Sequence, residues 1–409
     1  MKRVPVVDYF THPAFARIEC SYKYDDAVIS EKISIIDSYM QKANESSNVG
    51  DVRILIVKVS GAIDDLKTYI KTHCDSIISM ELCSAALEYV KRECAKEFFR
   101  LCFRNSYKAV ECEQGFYNNL KNDGMHIVSF SKNTANELQK AAKPYYDRLK
   151  SRAIEKPDQR SFESVNLKDS LGQAIYKMIE EAKILPTLSN YMRTELELYG
   201  VGIEYAFEGQ TWYQGCYTDV GINETKLSYM HFDEASYLPK TLCYLTPVEC
   251  EDNGATKYIR GSHKWERSEF LTLFHKGLDD VGGRYYGLID HYYRPLYKHI
   301  ELRKVLLGLP RALIGSSHIG DDILDDTELS TKMQEDSVTF LSDGTTAVVF
   351  DGGCGYHSGA VVKKGERLSL QIIYRGKNEA KIDMLYKNET PTDWIKRAYR
   401  TVKKALQNI

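Results

Sequence analysis

The chain has 409 residues, 43% of them hydrophobic and 27% charged, with a formal net charge of −2. That length suffices for one large domain with extensions, and the composition excludes a disordered or collagen-like chain. So small a net charge sets up no global field toward nucleic acid or an anionic membrane, and neither is expected as a partner.

The opening MKRVPVVDYFTHPAF is interrupted by Pro5, Asp8 and His12 and does not read as a secretion signal. No stretch approaches the roughly 18 apolar residues of a membrane span. Ten cysteines occur without a C-x-x-C pair. Scattered thiols of this kind predict buried free cysteines in a reducing cytoplasm rather than a disulfide framework or zinc ribbon.

Residues 1–110 predict a mostly helical extension. In residues 80–103, Leu82, Ala86, Val90, Cys94, Phe98 and Cys102 recur every four positions, the stripe of an amphipathic helix. The run VRILIVKVS, residues 52–60, fits a strand or a buried helix equally well. FYNNLKNDGMHIVSF then predicts a helix end, a turn at Asn122-Asp123-Gly124 and a short strand. Residues 133–150 follow as a helix and 151–170 as a polar loop. Beyond about residue 200, short segments rich in Val, Ile, Tyr and Thr predict strands: GVGIEYAF, KLSYMHFDEA, TLCYLTPVE, ATKYIRGSH, TTAVVFDGG and RLSLQIIYRG. Many short strands with turn punctuation suggest a sandwich or barrel. Residues 264–340 break the pattern as a helical, lid-like insertion, and 381–409 read as a C-terminal helix.

The chemistry centres on His231-Phe232-Asp233. In an extended segment alternate side chains share a face, so His231 and Asp233 project together. With a second imidazole they complete a facial triad, the arrangement that binds Fe(II) and leaves positions open for a cosubstrate and O2. A second H-x-[DE], at His299-Ile300-Glu301, lies in a helical stretch where positions i and i+2 point apart and do not chelate together. The segment FDGGCGYHSGAVVKKGERLSLQIIYRG supplies His357 after a glycine-rich turn that lets backbone approach closely. It also supplies Arg367 on a strand where Arg367, Ser369 and Gln371 share one face and Leu368, Leu370 and Ile372 the other. A polar face on a buried strand implies a polar ligand, and a guanidinium fork suits the distal carboxylate of 2-oxoglutarate.

Three pieces in order resemble the phytanoyl-CoA dioxygenase-like family of Fe(II)/2-oxoglutarate oxygenases. They are LKNDGMHIVSFSKNTANELQK, MHFDEASYLPKTLCYLTPVECEDNGATKYIRGSHKW and YHSGAVVKKGERLSLQIIY. The resemblance spans about residues 115–376, leaving 264–340 unmatched. It implies a mainly β core of double-stranded β-helix (jelly-roll, cupin-like) type in residues 111–380. It implies His231, Asp233 and His357 as iron ligands and Arg367 as the 2-oxoglutarate anchor. It also implies that Asn253-Gly254-Ala255-Thr256 and Gly261-Ser262-His263 shape a turn near the site, with Thr256 approaching the pocket and His263 structural. The expected activity is hydroxylation of a small polar metabolite in a biosynthetic pathway, with Fe(II), 2-oxoglutarate and O2. A cupin-like metalloenzyme that ignores 2-oxoglutarate, or a non-catalytic binding protein, are the alternatives. In the 264–340 insertion, Arg284, Tyr285, Tyr286, His291, Tyr292, Tyr293, Arg294 and Tyr297 fit either a grip on a polar or anionic substrate or an aromatic helical lid that packs on the barrel.

Overall fold

A computed structural model of the chain describes residues 3–4, 6–19, 23–211, 215–233, 239–285, 295–298, 300–315 and 320–386. Three long helices come first: α1 (Asp26–Glu45), α2 (Val49–His73) and α3 (Ile77–Ser106). Asp25, Asn48 and Ser76 cap them, each accepting backbone N–H groups that have no partner within the first turn. The 52–60 run resolves as helix. Val52, Ile56, Val59, Ile63, Leu66 and Ile70 form a buried stripe spaced four and three apart, while Ile54 and Val57 face solvent. A strand would have put Ile54 on the same side as Val52 and Ile56. In α3 the six residues of the expected stripe are all buried.

The chain continues through α4 (Gln114–Asp123), β1 (Met125–Ser129), α5 (Lys132–Glu155), β2 (Ser161–Ser164), α6 (Ser170–Glu181), α7 (Ile184–Met192) and β3 (Leu196–Phe207). Residues 151–170 are therefore not simply a loop. Ser161-Phe162-Glu163-Ser164 lacks apolar alternation, and it is a strand because β3 offers it an antiparallel edge. Next come β4 (Lys240–Tyr244), β5 (Lys257–Ile259), α8 (Glu269–Tyr285), α9 (Pro295–Lys298), α10 (Ile300–Leu307), α11 (Arg311–Ile314) and α12 (Glu328–Glu335). The last elements are β6 (Ser337–Thr339), β7 (Thr346–Phe350), β8 (His357–Ser358), β9 (Glu366–Gly376) and α13 (Glu379–Tyr386). Of the strand expected at 226–235, the described residues 226–233 do not form one. Residues 226–229 turn, Tyr229 takes a left-handed φ of 70°, and only His231 joins a ladder, in an antiparallel bridge with His357.

Two antiparallel sheets result: six strands in the order β1-β7-β4-β9-β3-β2 and three in the order β6-β5-β8. The chain passes between them repeatedly from β4 to β9. Their inner faces meet where Leu242, Tyr244, Val348 and Phe350 of the large sheet pack on Tyr258 of the small sheet and Phe340 beside it. The outer face of the large sheet presents Ile203, Cys243, Val349, Leu370 and Ile372 to a layer containing α5, α6 and α7.

A separate core unites Val90 and Phe98 of α3, Phe274 and Leu278 of α8, Leu306 of α10 and Leu313 of α11. The first hundred residues and much of the 264–340 stretch thus pack as one helical layer. Tyr297 is 2% exposed within this layer against Tyr9 and Phe15. Of the two readings of the aromatic segment, its place fits packing. Arg284 and Tyr285 are the last residues of α8. Tyr286, His291, Tyr292, Tyr293, Arg294, His299 and residues 387–409 lie outside the described residues. No helix among the described residues is long and apolar enough to cross a membrane, and the described cysteines are free thiols.

Candidate metal centre

His231 and His357 exchange backbone hydrogen bonds, N–H to C=O, at 2.9 and 3.1 Å. Two residues on, the Asp233 N–H donates to the Gly352 carbonyl at 2.8 Å. Three backbone hydrogen bonds thus tie the H-x-D segment to the glycine-rich turn, although only one residue of that segment is in a ladder. Phe232 projects to the opposite side, its ring 4.0 Å from that of Tyr356. The alternation expected from the sequence therefore survives without the strand.

The ligand atoms of His231, Asp233 and His357 lie within 4.8 Å of one another, and among the described residues this is the one His/Cys/Asp/Glu group that could hold a metal ion. Asp233 Oδ1 is 3.8 Å from His231 Nε2 and 3.6 Å from His357 Nε2. His231 Nδ1 is 2.6 Å from the Tyr229 carbonyl, and His357 Nδ1 is 3.0 Å from the Gly355 carbonyl. A carbonyl only accepts, so each Nδ1 carries a proton and each Nε2 is the ring nitrogen turned toward the carboxylate. Such backbone tethers orient metal-binding imidazoles.

Asp233 Oδ2 is buried and has no hydrogen-bond partner among the described residues. A Cβ built on Gly352 would stand 2.1 Å from it. The glycine at this position is a space requirement, as the close-approach reading of the turn expected. Gly355 is similar, since its Cβ would meet the Tyr258 hydroxyl at 1.8 Å. Burial pushes the His231 imidazolium down to about 3, and the neighbouring His357 ring adds to the shift. Burial alone would raise the Asp233 carboxyl. The Lys240 ammonium and the His357 and His231 rings outweigh it and hold Asp233 well below the usual carboxylate range. Two imidazoles held by their Nδ1 atoms and one carboxylate, with an orphaned oxygen in a glycine-walled recess, fit a divalent ion.

Lys240 is the residue that sequence reasoning missed. Its Nζ is 2.5 Å from Asp233 Oδ1. The signal was there in the strand KTLCY, whose alternation puts Lys240 on the same face as Leu242 and Tyr244.

Arg367 is 6% exposed and lies on the inner face of the large sheet, while Leu368, Leu370 and Ile372 face the helices. One terminal nitrogen donates to the Ala360 carbonyl at 3.0 Å and to the Gly254 carbonyl. Its Nε is buried and has no hydrogen-bond partner among the described residues. Gly254, at φ 79°, belongs to the Asn253-Gly254-Ala255-Thr256 turn, so that turn touches the guanidinium itself. Ser369, 2% exposed, stands in register with Tyr244 and Glu204. Thr256 is buried, and its N–H donates to the Tyr244 hydroxyl at 2.6 Å. Burial raises the Tyr244 phenol, partly offset by the nearby Arg367 charge. Arg367, Ser369 and Thr256 therefore gather about Tyr244, a second residue the sequence did not single out. His263 stays away from the triad, with Nε2 3.2 Å from the Lys121 carbonyl, as its expected structural part requires.

A cavity of about 730 Å³ lies elsewhere, between the helical layer and the back of the glycine-rich turn. It is lined by Glu93, Arg100, Arg193, Arg267, Cys354 and Glu379 among others, and by none of the triad.

No family model matches the chain, and no curated protein matches it; the resemblance drawn above rests on its motifs. Solved structures do align. AviO1 from Streptomyces viridochromogenes shares 10% identity, with 66% of this chain and 97% of that one covered and a TM-score of 0.35. The epimerase SnoN, in complex with Fe3+, alpha ketoglutarate and nogalamycin RO, shares 11% identity over 64% and 83% at a TM-score of 0.36. HygX from Streptomyces hygroscopicus, with nickel and 2-oxoglutarate bound, shares 10% over 66% and 88% at 0.33. At these values the likeness adds nothing to the chemistry, which rests on the chain's own residues.

Proposed function

We propose that the chain is a non-haem Fe(II) enzyme that uses 2-oxoglutarate and O2 to hydroxylate a small polar metabolite. His231, Asp233 and His357 would hold the metal, and Arg367 the distal carboxylate of 2-oxoglutarate, with Ser369 and Thr256 lining the cosubstrate's path. The two sheets would be the halves of a double-stranded β-helix spanning residues 111–380, with 1–110 and 264–340 as its helical cover and 381–409 as a terminal helix. The observation that carries the reading is the pairing of two orphans inside one sandwich. Among the described residues, the buried carboxylate oxygen Asp233 Oδ2 has no partner beside two oriented imidazoles, and the buried guanidinium nitrogen Arg367 Nε, on the inner face of the large sheet, has none either. Unmet buried polar groups are costly, and a metal and a dianion would each relieve one.

When bound, Fe(II) with 2-oxoglutarate supplies the oxidising power, converting O2 and 2-oxoglutarate to succinate and CO2 as the substrate gains one oxygen. The chain's own work is binding and orientation. The Tyr229 and Gly355 carbonyls fix both imidazole tautomers. Gly352 keeps the recess around Asp233 open. The Gly254 and Ala360 carbonyls set one edge of the Arg367 fork and leave Nε for a carboxylate. The interface of Leu242, Val348, Phe350 and Tyr258 limits water.

The test is anaerobic titration of Fe(II) and then 2-oxoglutarate, followed by admission of O2 with a metabolite panel. The reading expects stoichiometric metal, 2-oxoglutarate binding that depends on Arg367, and succinate with a one-oxygen mass gain. Turnover independent of 2-oxoglutarate would instead indicate the cupin-like alternative. Binding without turnover of any panel member would favour the non-catalytic one.

A further inference from the structure

Resting on that reading, we propose that the substrate carries a carboxylate and that Lys240 is the residue that receives it. Lys240 opens β4, a central strand of the six-stranded sheet, in register with Phe350 on one side and Ile373 on the other. Its inward neighbours Leu242 and Val348 are apolar, and its side chain is 18% exposed. An ammonium on the inward face of a central strand, beside apolar neighbours, needs an anion. Among the described residues the one it has is Asp233, at 2.5 Å.

That anion is already committed. Asp233 Oδ1 faces both Nε2 atoms, at 3.8 and 3.6 Å. A divalent ion held by the three groups would take the carboxylate's charge and repel the ammonium beside it. The sheet anchors the lysine stem, so the freed charge stays beside the metal site. Among the groups that the reading brings together there, the divalent ion, Lys240 and Arg367 are opposed by Asp233 and the dianionic cosubstrate, which leaves one positive charge in excess. Arg160 and Glu204, 2.5 Å apart nearby, pair with each other. One carboxylate closes the balance, and neutral sugars or amines do not. Held on Lys240, that carboxylate would orient the rest of the substrate beside the metal, making Lys240 a determinant of specificity.

The experiment uses the full chain loaded with Ni(II), which does not turn over, and 2-oxoglutarate. Acetate and acetamide, benzoate and benzamide, and phenylacetate and phenylacetamide are titrated by calorimetry into wild type, Lys240→Met and Lys240→Arg. In wild type at least one acid should bind about tenfold tighter than its amide, the scale of a charge-assisted hydrogen bond. The preference should vanish in Lys240→Met and return in part in Lys240→Arg. Ni(II) should bind Lys240→Met as tightly as wild type or tighter, and 2-oxoglutarate should be little changed. The proposal is overturned by three results: no acid preferred over its amide in wild type, a preference that survives Lys240→Met, or loss of 2-oxoglutarate binding in Lys240→Met. The last would make Lys240 the cosubstrate anchor. If Lys240→Met fails to fold, the acid–amide comparison in wild type and Lys240→Arg decides alone. Wild type that binds neither Ni(II) nor 2-oxoglutarate would fail the underlying reading, a result distinct from any of these.

Discussion

The six-stranded sheet has two faces built on opposite rules. Toward α5, α6 and α7 it presents Val201, Ile203, Cys243, Ala347, Val349, Leu368, Leu370 and Ile372, a closed apolar surface. The polar groups on that side are paired, as where the Thr241 and Tyr374 hydroxyls meet at 2.9 Å. Toward the small sheet the same strands present Lys240, Glu204, Arg367, Ser369 and Gln371. Among the described residues, polar atoms remain unmet on or beside that face, Arg367 Nε and Asp233 Oδ2 among them. One face contributes stability by being filled. The other carries a stability cost and is arranged for something that is not part of the chain. Substitutions on the two faces should therefore separate folding from binding.

The largest effect should come from the triad. His357→Ala or Asp233→Ala should abolish stoichiometric metal binding, since a facial triad has no spare protein ligand, while the metal-free melting temperature moves little. Calorimetric metal titration with a parallel melt checks this, and a His357→Ala protein that still binds iron at wild-type affinity would break the contrast. On the filled face Leu370→Ala should do the reverse. It removes a fully buried side chain and should cost about 2–5 kcal/mol of unfolding free energy. Denaturant melts measure that loss, and metal affinity per folded molecule should hold.

Arg367→Lys comes next. An ammonium cannot reproduce the planar fork, so 2-oxoglutarate binding should weaken by about 1.5–3 kcal/mol with metal affinity retained. An unchanged 2-oxoglutarate affinity would mean that another cation anchors the cosubstrate. Gly352→Ala sharpens the comparison further, because the new methyl would collide with Asp233 Oδ2. Metal affinity should fall on the order of tenfold, the low end for groups that support ligands from behind, with melting temperature less affected than in Leu370→Ala. The smallest effect should be that of His299→Ala, the other H-x-[DE] histidine, which should leave metal stoichiometry and affinity at wild-type values.

The sequence carried the local part of this molecule. Strand alternation, a two-residue period, sorted Arg367, Ser369 and Gln371 from Leu368, Leu370 and Ile372 and sent His231 and Asp233 the same way. The helical stripe in α3 was equally legible, because a 3.6-residue period needs only neighbours. The glycines before His357 were readable as places of close backbone approach, though not what would approach them. Elsewhere local rules gave the wrong element or none. The 226–235 segment has strand composition but turns at Tyr229, and Ser161–Ser164 has loop composition but pairs with β3.

Only the tertiary structure decided the rest, because it depends on which distant segments lie side by side. The register of β4 between β7 and β9 aims Lys240 at Asp233. Packing between the sheets gathers Tyr244, Thr256 and Ser369 around Arg367. Burial in a shared core turns the first hundred residues and the 264–340 stretch into one layer and puts Tyr297 inside it. Residue types and short periods determined which groups could serve as ligands. Register and close packing, set across more than a hundred residues of chain, determined that three of those groups converge and that a lysine waits beside them.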